Sequence, residues 1–149
     1  MPEPSVGVLF YVAQRAVEQR VLAALQAGGH DVTAAQGRLF ARIGPDGTRL
    51  TELAARAQVT KQTAGFLVDQ LVRAGYVERV LDPTDARARL VRIAERGRVV
   101  QRLASRIERE VYAEWTGHLG EQEMARLHRT MLRLREITDP FAEGADEAG

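Results

Sequence analysis

The tightest constraint on this chain lies between Thr51 and Ile93, where two short helical runs, a tight turn and an arginine-bearing hairpin follow one another without a linker. Ala54, Ala55 and Ala57 precede Val59 at the junction, so no large side chain holds the helices apart and they can cross steeply. Thr51 is the expected N-cap of a first helix, Glu52 to Ala57, with Leu53 and Ala54 facing inward. Gln58-Val59 forms the turn, and Thr60 caps a second helix, Lys61 to Ala74. Ala64, Leu67, Val68 and Leu71 make its buried stripe, and Gly75 stops it. The opposite face carries Lys61, Gln62, Gly65, Asp69 and Arg73.

The hairpin reads as strands Val77 to Leu81 and Arg89 to Ile93 around a seven-residue loop, DPTDARA, from Asp82 to Ala88. About two to five residues suffice to reverse a hairpin, so a longer loop is expected to be a working part. Helix, turn, helix and basic ribbon in that order present one helix to a DNA major groove and a loop to the adjacent minor groove.

Each candidate contact has a chemical reason. Thr60, Lys61, Gln62 and Thr63 offer hydrogen bonds to base edges or phosphates, Gln matching adenine and Lys matching guanine or a phosphate oxygen. Gly65 would let the backbone approach the duplex closely, and Arg73 lies on the same outer face. Phe66, between the buried stripe and that face, is read as a core-edge aromatic ahead of a contact to a thymine methyl. Asp69 would repel phosphate and is expected to pair with a nearby arginine. In the loop, Arg87 is the expected minor-groove residue, because a narrow A·T-rich groove concentrates negative potential. Asp85 would hold Arg87 through a bidentate pair, while Arg89 and Arg92 reach flanking phosphates.

The flanks are helical. A helix begins at Val6, carries Phe10, Ala13, Val17, Val21 and Leu25 at helical spacing, and stops at Gly28-Gly29. Thr33 and Gln36 form a capping box for a second helix through Leu39, Phe40 and Ile43, which ends at the Gly44 to Gly47 turn cluster. Arg49-Leu50 would add one rung to the hairpin. Beyond Gly97 a long helix runs through Val100, Leu103, Ile107, Val111 and Trp115 until Gly117 to Gly120 breaks it. A last helix uses Met124, Leu127, Met131 and Leu134 and ends before Pro140.

With 149 residues and a net charge of +1, the chain fits one domain with extensions. The charge is uneven: Arg49 to Arg102 holds 11 Lys+Arg against 6 Asp+Glu, as suits a middle that meets phosphate between flanks that meet each other. Absence of cysteine excludes disulfides, thiolate zinc sites and cysteine nucleophiles. His30, His118 and His128 are scattered without metal-ligand spacing, and no Gly-rich loop would cradle a phosphate, so neither an enzyme, a metal nor a cofactor is expected. No apolar run would span a membrane and the start lacks a basic leader, so a soluble cytoplasmic protein is expected, associated with the nucleoid when on DNA.

The stretch from Leu50 to Gly97 resembles the winged helix-turn-helix regulators of the multiple-antibiotic-resistance regulator (MarR) family. LTELAARAQVTKQTAGFLVDQLVRAGYVERV is similar to their reading head, and DPTDARARLVRIAERG to their wing, whose signature is Asp-x-Arg followed by Leu-Thr-x-x-Gly. Asp85, Arg87 and Gly97 match it; Ile93-Ala94 departs from Leu-Thr and removes the hydroxyl that would cap the next helix. The resemblance implies a mainly α fold with a small β-wing: a winged helix-turn-helix over residues 31–94, flanked by dimerisation helices over 1–30 and 95–140, with an acidic tail, 141–149, read as disordered. It also implies a homodimer on a pseudo-palindromic operator, with recognition helices about 34 Å apart. Repression is the usual output of such regulators. The effector implied is a small aromatic or phenolic molecule, with Tyr11, Phe40, Tyr112, Trp115, His30 and His118 as candidate contacts. A sequence-neutral architectural DNA binder is the rival reading.

Overall fold

The computed structural model describes residues 1–142. The tail expected over 141–149 therefore lies almost wholly outside the described residues. Six helices and one two-stranded sheet follow in the order α1 (Val6–Ala27), α2 (Ala34–Phe40), α3 (Leu50–Ala57), α4 (Lys61–Arg73), β1 (Val77–Asp82), β2 (Asp85–Ile93), α5 (Glu95–Leu119) and α6 (Glu121–Thr138). The chain divides into two compact units, Met1 to Glu108 and Arg109 onward, with the boundary inside α5. None of the helices among the described residues is long and apolar enough to cross a membrane.

In the first unit one apolar core joins Leu25 of α1, Leu39 of α2, Leu53 and Ala54 of α3, Ala64, Leu67, Val68 and Leu71 of α4, Tyr76, Val77 of β1, Val91 and Ile93 of β2, and Val100 of α5. The stripe expected on α4 is buried at every position. On α1 the expected stripe divides: Val17 and Leu25 are buried, whereas Phe10 and Ala13 are exposed. Glu18, also buried, accepts from Arg38 Nε and Nη2 of α2 at 2.8 and 2.9 Å and pairs with Arg15. The hydrogen bond from Arg38 holds the Glu18 carboxyl below its ordinary value against the opposing effect of burial.

Side-chain caps start α1, α2 and α4, from Ser5, Thr33 and Thr60. Thr33 Oγ1 accepts from Gln36 N while the Gln36 side chain accepts from Thr33 N, the expected capping box. α3 begins earlier than expected: Arg49, not Thr51, is its N-cap and makes no side-chain cap. The extra rung on the hairpin is likewise displaced, pairing Thr48 with Val91 rather than using Arg49-Leu50. α5 starts at Glu95 instead of beyond Gly97, and Gly117 lies within it; the break falls at Gly120, whose φ is +92°. α6 starts three residues before Met124 and has no buried residue.

Candidate nucleic-acid interface

α3 and α4 are joined by a turn in which Gln58 takes φ +58°, the left-handed region. Thr60 then caps α4, its hydroxyl oxygen accepting from Thr63 N at 3.0 Å and donating to Thr63 Oγ1 at 3.0 Å. Both threonine hydroxyls are thus engaged in building the helix start. Lys61, Gln62 and Thr63 are exposed in the first turn, and Arg73 is exposed at the last. A Cβ built on Gly65 would meet only Leu50 Cδ2, at 3.8 Å, so the fold itself does not demand glycine there. Its presence lowers helix stability by about 1 kcal/mol relative to alanine.

Two readings of this helix are settled by the geometry. Asp69 accepts from Arg79 of β1 at 2.6 Å, as expected. Phe66 is not a core-edge residue: it is 62% exposed, because α4 turns Ala64, Leu67 and Val68 onto the core and carries the ring past it.

The wing is tighter than its sequence implied. β1 and β2 extend through most of the supposed seven-residue loop, leaving Pro83-Thr84 between Asp82 and Asp85, with a register irregularity between Leu81 and Asp82. The cause is Asp82, whose Oδ1 accepts from Thr84 N at 2.8 Å and Thr84 Oγ1 at 2.7 Å. Its Oδ2 accepts from Arg49 Nε at 2.9 Å and Nη2 at 2.7 Å. The Thr84 hydroxyl and amide, then Arg49, hold the Asp82 carboxyl at about 2, well below its ordinary value. Arg49 was missed by sequence reasoning; the local Asp-x-Thr order was the available signal for the turn, but nothing in sequence pointed to an arginine 33 residues away.

Asp85 does not grip Arg87 in a bidentate pair. It accepts from the Arg87 backbone N at 3.0 Å, and the Arg87 Nε lies 3.6 Å from Asp85 Oδ1. The Arg87 side chain is 95% exposed near the hairpin tip, and Arg89 is exposed two residues on. Arg92, expected to reach phosphate, instead donates from Nε and Nη2 to Glu78 across the sheet at 3.0 and 2.7 Å. Arg49, Arg79 and Arg92 are therefore ion-paired, whereas the side chains of Lys61, Gln62, Arg73 and Arg89 have no partner among the described residues.

The candidate effector contacts are differently placed. His30 Nδ1 lies 3.0 Å from the Tyr76 hydroxyl, with the rings edge-on at 5.7 Å, and the Arg96 guanidinium covers the Tyr76 ring at 4.5 Å. Phe40 is half-buried against the core of the first unit and Tyr11 is exposed on α1. In the second unit Tyr112 and Trp115 lie with ring centroids 5.6 Å apart, and His118 is exposed near the end of α5.

Among the described residues six helices thus carry a two-stranded wing between α4 and α5. Residues 30–88 match the family model described as MarR family. The fold is that of a MarR-like winged helix. The apo structure of wild-type MarR from E. coli is similar over 89% of this chain and 98% of its own, at 23% identity and TM-score 0.69. A MarR family transcriptional regulator from Rhodococcus sp. RHA1 matches over 87% and 91%, at 21% identity and TM-score 0.68. An S. aureus MepR mutant bound to an oligodeoxyribonucleotide matches over 90% and 98%, at 20% identity and TM-score 0.58. No curated protein matches the sequence. The MarR-like chain thus has the fold of transcriptional regulators, with its helix-turn-helix inside the matched segment.

Proposed function

We propose that this MarR-like chain is a homodimeric regulator of transcription that binds a pseudo-palindromic duplex, α4 entering the major groove and the wing the minor groove. The observation that carries this reading is the division of the polar residues in the basic segment. Lys61, Gln62, Arg73 and Arg89 are without a partner among the described residues and Arg87 is almost fully exposed, while neighbouring arginines are spent on carboxylates. Side chains left uncommitted at the start of α4 and along the wing suit phosphates and base edges. The MepR relative with its bound oligodeoxyribonucleotide supports the same reading. Thr60, Thr63, Gly65 and Asp85 act in it by shaping the helix start, its close approach and the wing.

Selection of bound duplexes from a random pool tests the reading. The expected product is a palindrome whose half-site centres lie about one helical turn apart, with affinity falling about 10³- to 10⁵-fold between 50 and 200 mM salt if six to ten phosphates are neutralised. The same salt dependence with no preferred sequence would make the protein an architectural binder instead. A panel of phenols and small aromatic acids tests effector response: a compound that lowers DNA affinity must itself bind the DNA-bound protein more weakly by the same factor.

A further inference from the structure

We propose that Phe66 is a specificity-determining residue that reads the 5-methyl group of a pyrimidine in the major groove. This rests on the DNA-binding reading of α4 and adds to it a contact that hydrogen bonding cannot provide. The ring is 62% exposed although the helix has four buried apolar positions of its own, so Phe66 does not serve the core. Along its own helix its exposed neighbours are polar. One turn before it stand Gln62 and Thr63, one turn after it Asp69, and beyond that Arg73, all exposed. A protein partner that buried this ring would have to strip water from every one of those polar neighbours, which favours a surface offering one small apolar group among hydrogen-bonding edges. In the major groove that description fits the pyrimidine 5-methyl, carried by thymine and by 5-methylcytosine.

Charge agrees with this occupant. Lys61 and Arg73, on the same helix, have no acidic partner among the described residues, and the one carboxylate on the face, Asp69, is tied to Arg79. Gly65, immediately before Phe66, is not required by internal packing. Lacking a side chain, it leaves room for the helix to settle close to the bases and bring the adjacent ring within contact distance.

The test uses the full-length protein and a duplex recovered from the random pool, with each thymine replaced in turn by deoxyuridine, which lacks only the methyl. At one thymine per half-site the replacement is expected to weaken binding about three- to tenfold, the worth of one buried methyl. Phe66→Ala should bind more weakly than the parent and no longer distinguish thymine from deoxyuridine there, while Phe66→Leu keeps part of the distinction. Replacing cytosines by 5-methylcytosine forms the second arm: a gain for the parent that Phe66→Ala loses assigns the methyl to modified cytosine. Thermal melting checks that both variants fold as the parent does. If no methyl affects affinity, or Phe66→Ala discriminates as the parent does, the assignment is overturned while the regulator reading stands. A pool that yields no preferred duplex removes both.

Discussion

A single methyl group on Gly97 would have nowhere to go. Its Cβ would lie 2.1 Å from the Tyr76 carbonyl oxygen and 2.9 Å from Ile93 Cγ2, so α5 could not start against β2 as it does. Gly97→Ala is expected to destabilise the protein by about 2 kcal/mol, read as a lower urea midpoint at unchanged slope. Gly97 was visible as part of a wing signature, but its reason was not, since the Tyr76 carbonyl that excludes a side chain is 21 residues away in sequence. Asp82 gives a pH-dependent counterpart. Because its folded value is depressed to about 2 from an ordinary 3.8, its contribution to wing stability is complete above about pH 4 and is lost as pH falls through 2. Carbon-detected NMR titration of the Asp82 carboxyl should show that depressed midpoint, and Arg49→Ala should raise it. An Asp82 carboxyl that titrates at its ordinary value would mean that the wing clasp does not form in solution.

Among the elements, α4 sets stability against binding most directly. Gly65→Ala fits the space beside Leu50, so it is expected to stabilise α4 by up to about 1 kcal/mol while weakening DNA affinity. Melting temperature and operator affinity should therefore move in opposite directions; a variant improved in both would show that close approach is not used at Gly65. Thr60→Ala removes the cap and should lower stability by about 1 kcal/mol. The stripe of α4 was fully legible because Ala64, Leu67, Val68 and Leu71 keep helical period. The wing was not. Asp82, Pro83 and Asp85 have little strand propensity, and strand formation there follows from the Asp82 side chain closing a two-residue turn and from cross-strand pairing. Phe66 was misplaced for a related reason: a position beside the buried stripe is decided by what packs against it, which helical period alone does not contain.

For the molecule as a whole, the apolar residues left outside any core matter most. Val6, Val8, Leu9, Phe10, Tyr11 and Val12 form an exposed run at the start of α1, and Leu127, Met131, Leu132 and Ile137 are exposed on α6. Such surface suits the proposed homodimer, in which subunits bury what one chain leaves open. Melting temperature is expected to rise with protein concentration, and sedimentation at micromolar concentration should give a dimer. Phe10→Asp should shift that species toward monomer without altering the winged-helix core, which Phe10 does not enter; an unchanged dimer would place the interface elsewhere. The bond between Arg49 and Asp82 bears on how such a protein searches for its site. Because that pair ties the N-cap of α3 to the last residue of β1, it favours one mutual orientation of the helix-turn-helix and the hairpin. In the proposed dimer less wing freedom would then be lost on binding, and a change in the separation of the two heads would move helix and wing together.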